Sequence, residues 1–599
     1  MGREKLMVAV DFGTTFSGIA FCHSNQKELT DIEVHTSWSG NNIAPKLPTE
    51  IRYVPGRDPL WGHEAGLASE RRQVANSAII YNRFKLLLDV RGGTGLYGSS
   101  GSSWWSRNVT ANDQIKLPRG KSAMDVSADY LRLLYNELME KILRKRLPET
   151  LDLTPIHFVF TVPAIWGHQA QEATKWAAKK AGFCDRESDT LSLVSEPEAA
   201  AMYVLKAMHE ANFSRTPTEA MPTLRRGDTF VVCDAGGGTV DLISYEVEEV
   251  SPSFKLREVV IGSGAKCGSS YIDQAFIQLL RRKIGPSFDN DKIWNKKDIS
   301  RGSPLMIHFD NIKRSFGRAT NDLWFIPLPV DVEDDEENGI VDNELEFTAQ
   351  DLQQLFDPVV NEIVELVKGQ VSGILSFRKT VSAIFLVGGF GESHYLYQSI
   401  ERWAKTEQQP ITVINPKESW SAIMRGAIVR ELHPAVRSRR LRRHYGFACN
   451  QPFDPKIHDV TRSYLSVFGG RYVNGTAQWT AKMGDDCIEE KELVFTLFLE
   501  LSGPDCLTRP SYISLYGCET PVPPMYTFSP GVYGMGTVQC DFSSASLDEL
   551  YSAYDNLNGT LIKKYQIWFE LRMKLESADV KFSIWRNGRC VGKADVSYD

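Results

Sequence analysis

Two turns of similar composition place the strongest constraint on how this chain can fold. In each, a short apolar run ends at an aspartate, a turn with glycine and threonine follows, and a second apolar run leads away; the turns are Asp11–Thr15 and Asp234–Thr239. An apolar run, a glycine turn and a returning apolar run predict a hairpin of two strands. Because the pattern occurs twice, far apart in the chain, we predict a duplicated core of two similar lobes that face each other.

The residue types in these turns are suited to phosphate groups and a metal ion. Glycines let backbone N–H groups converge on an anion, threonine adds a hydroxyl donor, and an aspartate at a strand end can hold a hydrated Mg²⁺. We predict that Asp11 and Asp234 hold Mg²⁺ and take part in catalysis. Glycine-rich hairpins without a ligand are also common, so a purely structural turn is the alternative. The predicted phosphate-binding residues are Gly13, Thr14, Thr15, Gly236, Gly237, Gly238 and Thr239.

Four segments together resemble a known family. DFGTTFSGIA from Asp11, SEPEAAAM from Ser195, DAGGGTVD from Asp234 and LVGGFGES from Leu386 are similar to the phosphate 1, connect 1, phosphate 2 and adenosine motifs of the actin-like ATPase superfamily. SEPEAAA and the spacing of the motifs resemble the 70-kDa heat-shock chaperone family within it. This likeness covers about Leu6 to Arg430. Further on, HYGFACNQPF from His444 and the last residues resemble the divergent twelfth subfamily of these proteins.

The resemblance implies an α/β fold with a defined domain order. It implies the two-lobed actin-like ATPase fold, a duplicated ribonuclease H-like fold, followed by a C-terminal all-β domain. The expected domains are a first lobe at 1–225 with a sub-lobe at about 40–124, a second lobe at 226–435 with a sub-lobe at about 262–345, a basic linker at 436–444, and the β domain at 445–599.

Two further catalytic residues are implied by the same resemblance. Lys85 lies in a segment similar to the one whose lysine reaches the γ-phosphate, and Glu196 would orient the attacking water. The alternatives are a solvated lysine on an amphipathic helix and a carboxylate that stabilises a helix N-terminus.

The resemblance also implies contacts to the rest of the nucleotide. Gly268 would form a wall of the cleft, and Gly388 and Gly389 would let the backbone lie against the adenosine. Where the family usually has a serine and an arginine that stacks on adenine, this chain has Phe390 and Glu392. The residues expected to hold the ribose and cover the adenine are Asp310, Lys313 and Arg314, for which a surface ion pair is the alternative.

Downstream of the lobes, the sequence pattern changes to β. Residues 565–575 place Ile567, Phe569, Leu571, Met573 and Leu575 on one face of a strand. Asn474-Gly475 and Asn587-Gly588 each predict a hairpin. Residues 436–443 contain five arginines, for which a solvated linker and a nuclear-localisation or nucleic-acid patch are the two interpretations.

Composition excludes several classes of partner. A net charge of −7 gives no general affinity for nucleic acid or anionic membranes, and no apolar stretch approaches the length of a membrane span. The N-terminal apolar run is too short for a signal peptide, so we expect a cytoplasmic protein, with access to the nucleus left open by the arginine run. Its ten cysteines include no CxxC pair, and we expect buried free thiols.

The functional expectation is an ATP-binding chaperone-like protein. It would bind ATP or ADP with Mg²⁺, hydrolyse ATP slowly, and use closure of its lobes to control a client protein or co-chaperone bound to the β domain. Two alternatives are a nucleotide-gated scaffold with negligible hydrolysis and a small-metabolite kinase of the same superfamily. A Gly/Ser-rich insert, Arg91–Ser106, is expected to be a mobile loop without an assigned role.

Overall fold

Both predicted hairpins are present in a computed structural model of the chain. The first hairpin consists of Leu6–Phe12 and Phe16–His23, and the second of Thr229–Ala235 and Val240–Glu249. Every residue of Leu6–Phe12 and Thr229–Ala235 is buried, as expected for strands covered on both faces. The structure describes residues 4–26, 28–39, 42–67, 79–89, 115–213, 224–250, 254–290, 294, 298–318, 323–488, 492–503, 505–557, 560–576 and 579–593. The insert Arg91–Ser106 lies outside these ranges.

The two hairpins lie in two sheets with the same strand order. In each sheet, two parallel strands precede the hairpin in spatial order, and the strand next to it on the other side is antiparallel. This repetition confirms the duplicated, two-lobed α/β fold. The first sheet has the order Thr190–Ser195, Ile156–Val162, Leu6–Phe12, Phe16–His23 and Glu33–Val34, with Leu47–Pro48 also paired to Phe16–His23. The second contains Thr412–Ile414, Val381–Val387, Thr229–Ala235, Val240–Glu249 and Lys255–Ala265.

Smaller sheets and helices complete the two lobes. No helix among the described residues has the length and apolar character needed to cross a lipid bilayer. The helices are His63–Leu67, Ala123–Asn136 continuing as the π-helix Glu137–Leu143 and the α-helix Arg144–Arg146, His168–Lys180, Glu196–Phe213, Ser270–Ile284, Pro304–Ser315, Ala349–Ser376, His394–Ala404 and Ala422–Leu432. The smaller sheets contain Ser37–Trp38 with Asn42–Ile43, Glu50–Arg52 with Leu60–Trp61 and Ile80–Asn82, and Leu323–Pro327 with Ile340–Val341 and Glu344–Thr348.

The chain divides into two compact units, Met1–Ala435 and Val436–Asp599. Two sheets of the second unit share one apolar core, to which Phe447, Leu515, Ile567 and Phe569 contribute. Ile567, Phe569, Leu571 and Met573 are all buried, which confirms the predicted inward face for these four, while the side chain of Leu575 lies outside those described. One sheet contains Ser463–Leu465, Arg471–Ala481, His444–Pro452, Ser511–Cys518 and Val532–Cys540; the other contains Glu492–Ser502, Thr560–Glu576, Asp579–Arg586, Arg589–Lys593 and Tyr551–Leu557.

The arginine-rich segment at 436–444 is not a solvated linker, contrary to the sequence expectation. Val436–Arg440 is a strand paired with Asp486–Ile488, and Val436 and Leu441 are buried. Arg443 is also buried, where its guanidinium donates to the Tyr533 hydroxyl at 3.0 Å. The prediction failed for two reasons. Buried residues alternate along the segment, and its arginines are held in the second unit by acidic or hydroxyl partners that are distant in sequence.

One of the two predicted Asn-Gly hairpins is correct and the other is wrong. Asn587 and Gly588, with φ of 48° and 75°, join Asp579–Arg586 to Arg589–Lys593. Asn474-Gly475 instead lies inside Arg471–Ala481, at a shift in its register with His444–Pro452. Gly475 has a φ of 76°, and a β-bulge uses the same left-handed backbone as a tight turn.

The cysteines have no structural cross-linking role in the described chain. The nine cysteines whose side chains are described are free thiols, and Cys22, Cys233, Cys267, Cys506, Cys518 and Cys540 among them are buried. Burial raises the pKa of the Cys22 thiol to about 12, which makes it a poor nucleophile. The prediction of free thiols is confirmed for these nine, whereas the predicted burial is wrong for Cys184, Cys449 and Cys590.

Candidate functional site

The turns of the two hairpins meet at a cleft between the lobes. A methyl group added to Gly237 would overlap the hydroxyl of Thr15, and one added to Gly238 would overlap the side chain of Thr14. On the other side of the second turn, a methyl group on Gly268 would overlap the backbone of Gly237. Close approach of the two lobes therefore requires glycine at positions 237 and 238, and packing within the second lobe requires it at position 268.

In the second turn the glycine carbonyl groups are occupied and the Gly236 N–H donates to the Thr239 carbonyl at 3.0 Å, whereas the N–H groups of Gly237, Gly238 and Thr239 are available. The N–H groups of Gly268, Ser269 and Ser270 donate to the carbonyl oxygens of Gly238, Gly236 and Gly237 at 3.3, 3.2 and 2.9 Å. Buried N–H groups almost always have an acceptor, so a convergent set without one fits an anion. Across the described residues, no protein oxygen accepts from the backbone N–H groups of Thr14, Thr15, Gly237, Gly238 and Thr239.

Asp11 and Asp234 lie in the same buried group of charges. Asp11 accepts a hydrogen bond from the Thr161 hydroxyl at 3.1 Å and pairs with the Lys46 ammonium at 2.5 Å. Burial raises the pKa of Asp234 well above the ordinary value for a carboxyl group, and the negative charges of Glu196, Asp241 and Asp11 raise it further. The structure thus brings the two aspartates together, as the duplicated turns predicted.

Lys85 and Glu196 form a buried ion pair beside this group. Their Nζ and Oε1 atoms are 2.8 Å apart, and Lys85 is 1% exposed. The Lys85 ammonium also lies 5.1 Å from the ring centroid of Trp166 and 5.8 Å from that of Phe12. Burial raises the pKa of Glu196, against the effect of Lys85. Lys85 is therefore not a solvated surface lysine, whereas Glu196 does begin the helix Glu196–Phe213.

Gly388 and Gly389 continue the cleft from Asp234. Gly388 has a φ of 84°, and a methyl group there would overlap a carboxylate oxygen of Asp234. A methyl group on Gly389 would meet nothing within 4 Å, so space for a ligand remains above its backbone. Phe390 points into the core of its lobe and is 5% exposed, whereas Glu392 is exposed. The substitution of Phe390 for the usual serine is thus a change in the core.

Asp310, Lys313 and Arg314 form a charged network on the helix Pro304–Ser315. The Lys313 ammonium lies 2.5 Å from Asp273 and 3.1 Å from Asp310, and Arg314 lies 2.7 Å from Asp310. The ion-pair interpretation is therefore correct. That these residues also contact the ribose stays a prediction. The end of this helix approaches the adenosine motif, because a methyl group on Gly317 would lie 2.9 Å from the backbone nitrogen of Tyr395.

Comparison with known proteins assigns the chain to a family. The family model described as Hsp70 protein matches residues 114–435, more than half of the chain. The chain belongs to the Hsp70 family. Heat shock 70 kDa protein 12B of Homo sapiens is 26% identical to it, over 90% of this chain and 84% of that protein. Heat shock 70 kDa protein 12A of Homo sapiens is 27% identical, over 72% of this chain and 70% of that protein.

A chaperone protein is similar to a smaller part of the chain. The chaperone protein HscA homolog of Ralstonia nicotianae is 28% identical over 40% of this chain and 32% of that protein. The expected likeness to the twelfth Hsp70 subfamily is confirmed. Members of the Hsp70 family bind ATP and are generally ATPases, and this chain is accordingly an ATP-binding Hsp70-like protein.

Three residues of this Hsp70-family cleft were not identified from the sequence. Asp241 is 1% exposed, faces Asp234 in the hairpin register, and accepts from the Ile165 N–H at 3.3 Å. An aspartate among the apolar residues of a buried strand was a signal that could have identified it. Thr161 and Lys46 carried no such signal, since only the packing of distant segments brings them to Asp11.

The residues at the two turns fit a bound Mg²⁺. Within the described ranges, no three His, Cys, Asp or Glu side chains form a group that could hold a metal by themselves. Mg²⁺ is, however, usually bound through one or two carboxylates, with water and phosphate oxygens as the other ligands. Asp11 and Asp234 supply such a pair next to unpaired N–H groups, and the negative charge around Asp234 favours a cation.

Proposed function

We propose that this Hsp70-family chain is a slow, Mg²⁺-dependent ATPase whose lobes close around the nucleotide. The observation that carries the proposal is the meeting of the two turns, with unpaired N–H groups on both and aspartates beside them. Donors fixed in this way stabilise phosphate charge without reorganisation, and phosphoryl transfer depends mostly on such positioning.

Each residue of the cleft then has a definite role. Asp11 and Asp234 would hold Mg²⁺, which neutralises phosphate charge when bound. Lys85 would contact the γ-phosphate, and Glu196, fixed by its ion pair with Lys85, would orient the attacking water. Thr239, which is buried at the turn, would donate its hydroxyl to a phosphate oxygen.

Closure of the lobes is supported by the crossing of two helices. Gly426 of Ala422–Leu432 packs so closely on Glu196–Phe213 that a methyl group there would overlap the carbonyl of Ala199. Helices packed in close contact can slide past each other, which is the shear type of domain closure. We further propose that this motion controls binding of a client protein or co-chaperone to the β unit, as measured by its affinity for an unfolded protein with and without ATP.

Steady-state hydrolysis by the purified chain tests the enzymatic proposal. We expect slow Mg²⁺-dependent release of phosphate from ATP, and a loss of at least about 100-fold in Asp234→Asn, because a charge at the reacting phosphates is removed. Lys405→Gln, a change at an exposed lysine, should leave the rate unchanged.

Other outcomes would favour the two alternative functions. ATP binding without phosphate release above the Asp234→Asn background would indicate a nucleotide-gated scaffold. Consumption of ATP only when a sugar or organic acid is supplied would indicate a small-metabolite kinase.

A further inference from the structure

Lys46 places a second ammonium group in the cleft, next to the first turn. Its Nζ lies 2.5 Å from Asp11 Oδ2, and the side chain is 17% exposed. The Thr161 hydroxyl donates to the other oxygen of Asp11. Both oxygens of a predicted metal-binding carboxylate are therefore already engaged by the protein itself.

The position of Lys46 is fixed by the backbone of the first hairpin. The residues that follow it, Leu47 and Pro48, pair with Ser17 and Phe16, and the Thr49 N–H donates to the carbonyl of Thr15 at 2.9 Å. The stem of Lys46 lies along the hairpin as well, since a methyl group on Gly18 would be 3.2 Å from its Cγ. Only the end of the side chain is free to change its partner.

Lys46 also influences the other carboxylates of the cleft. It opposes the rise in the pKa of Glu196 and Asp234, so its charge reaches both sides of the site. Four buried carboxylates, Asp11, Glu196, Asp234 and Asp241, share this site with Lys46 and Lys85. Because Lys85 is enclosed by aromatic rings and paired with Glu196, Lys46 is the ammonium that can move to an entering anion.

We propose that Lys46 is a phosphate-positioning residue: it pairs with Asp11 in the protein alone and transfers to a phosphate oxygen of the bound nucleotide, releasing Asp11 for Mg²⁺. Lys46 then supplies part of the positive charge that the triphosphate needs, and nucleotide binding depends only partly on the metal. This inference rests on the proposed nucleotide site.

Calorimetric titration of the full chain with ATP, in excess Mg²⁺ and in EDTA, tests the exchange. We expect Lys46→Gln to lose about tenfold more affinity in EDTA than in Mg²⁺, because a charge-assisted contact to phosphate is removed and only the metal can replace it. Lys46→Arg should keep the wild-type ratio of the two affinities, and Lys405→Gln, at an exposed ion pair, should change neither.

A second variant should change the affinity for ATP in EDTA in the direction opposite to Lys46→Gln. Asp11→Asn removes the carboxylate that holds Lys46, so ATP affinity in EDTA should stay equal or rise, while affinity in Mg²⁺ should fall. The midpoint of thermal unfolding, measured for each variant, confirms that it is folded.

The outcomes separate this inference from the proposed function. Absence of ATP binding by the wild-type chain would reject the nucleotide site itself. Binding by the wild type, with an equal loss in both buffers for Lys46→Gln, would show that the pair with Asp11 is only structural and would overturn the exchange.

Discussion

Lys85 and Glu196 bring opposite charges together where water is almost absent. Transfer of two charges out of water is costly, and the gain from their attraction only offsets that cost when the pair is intact. The 2.8 Å contact and the aromatic rings of Phe12 and Trp166 around the ammonium meet that condition. The pair thus holds two predicted catalytic groups in one fixed geometry, and removing either partner leaves an uncompensated charge.

Lys85→Met should lower the free energy of unfolding of the first unit by about 3 kcal/mol, because the Glu196 carboxylate is left buried and unpaired. The double variant Lys85→Met/Glu196→Gln should recover most of this loss. Denaturant unfolding of both variants and the wild type measures the difference. A double variant as unstable as the single one would contradict the argument.

The same variant should have a pH-dependent stability. Burial already raises the pKa of Glu196, and without Lys85 the smaller effect of Lys46 is left to oppose that rise. A carboxyl whose pKa is higher in the folded than in the unfolded chain destabilises the fold when it is charged. The loss in Lys85→Met should therefore be largest in alkaline buffer and shrink as the pH falls through the raised pKa. Unfolding at several pH values checks the direction.

Arg301 also contacts residues that are distant from it along the chain. Its guanidinium lies 4.1 Å from the ring centroid of Phe16, donates to the Thr15 carbonyl at 3.2 Å, and lies 3.7 Å from Glu50. Thr15 is the last residue of the first turn and Phe16 follows it, whereas Arg301 precedes the helix Pro304–Ser315 of the other lobe. The contact therefore holds the two lobes together beside the phosphate turns.

Loss of this contact should let nucleotide leave faster. We expect Arg301→Ala to raise the dissociation rate of ADP about fivefold, the equivalent of the roughly 1 kcal/mol that a partly exposed cation–π contact contributes. Arg144→Ala removes an arginine of equal exposure that pairs with Asp152 outside the cleft, and its rate should not change. Stopped-flow release of a fluorescent ADP analogue measures both; equal rates for the two variants would exclude a gating role for Arg301.

At the scale of elements, the helices Ala422–Leu432 and Glu196–Phe213 cross in close contact. Gly426 has no space for a side chain against Ala199, and Met424 of the same helix reaches Gly18 of the first hairpin. The helix Ala422–Leu432 thus touches both Glu196–Phe213 and the first hairpin. A displacement of the helix Ala422–Leu432 would therefore also move the first turn.

Two glycine-to-alanine variants test this crossing. Gly426→Ala must push the helices apart, and we expect it to lower the free energy of unfolding by about 2 kcal/mol and to weaken ATP binding. Gly369→Ala adds the same methyl group inside Ala349–Ser376, where nothing lies within 4 Å, and should stabilise by about 0.5 kcal/mol. Thermal unfolding and ATP titration compare the two; equal effects would mean that the crossing tolerates a methyl group.

At the scale of the whole molecule, the chain combines a nucleotide-binding unit with a β unit that has its own core. The units are Met1–Ala435 and Val436–Asp599, and the described residues of the second form an apolar core that includes Phe447, Leu515 and Ile567. A ligand that binds only the folded first unit adds to the stability of that unit.

Heating the full chain with and without Mg²⁺-ATP should separate the two units. At a concentration of ATP about 100 times its Kd, the first unit should gain about 2.7 kcal/mol, so its calorimetric transition moves to higher temperature while that of the β unit stays. In Gly237→Val, where a side chain would overlap Thr15, ATP should cause no shift. Equal shifts of both transitions would mean that the units unfold as one.

Much of this architecture is visible in the sequence because it depends on neighbours along the chain. The two hairpins, the alternating face of Thr560–Glu576 and the turn at Asn587-Gly588 each follow from the spacing of apolar residues and from backbone preferences within a few residues. Asn474-Gly475 shows the limit of such arguments, since the same backbone serves a turn or a bulge and only the pairing partner decides.

By itself, the sequence determined the duplicated acidic-glycine-threonine turns, the family to which they belong, and the residue types suited to phosphate and Mg²⁺. Only the tertiary structure decided that Lys85 is buried against Glu196, that Lys46 and Thr161 engage Asp11, and that the arginine-rich segment is a paired strand. The reason is physical: turn and strand preferences act locally, whereas burial and charge pairing depend on which distant segments the packed core brings together.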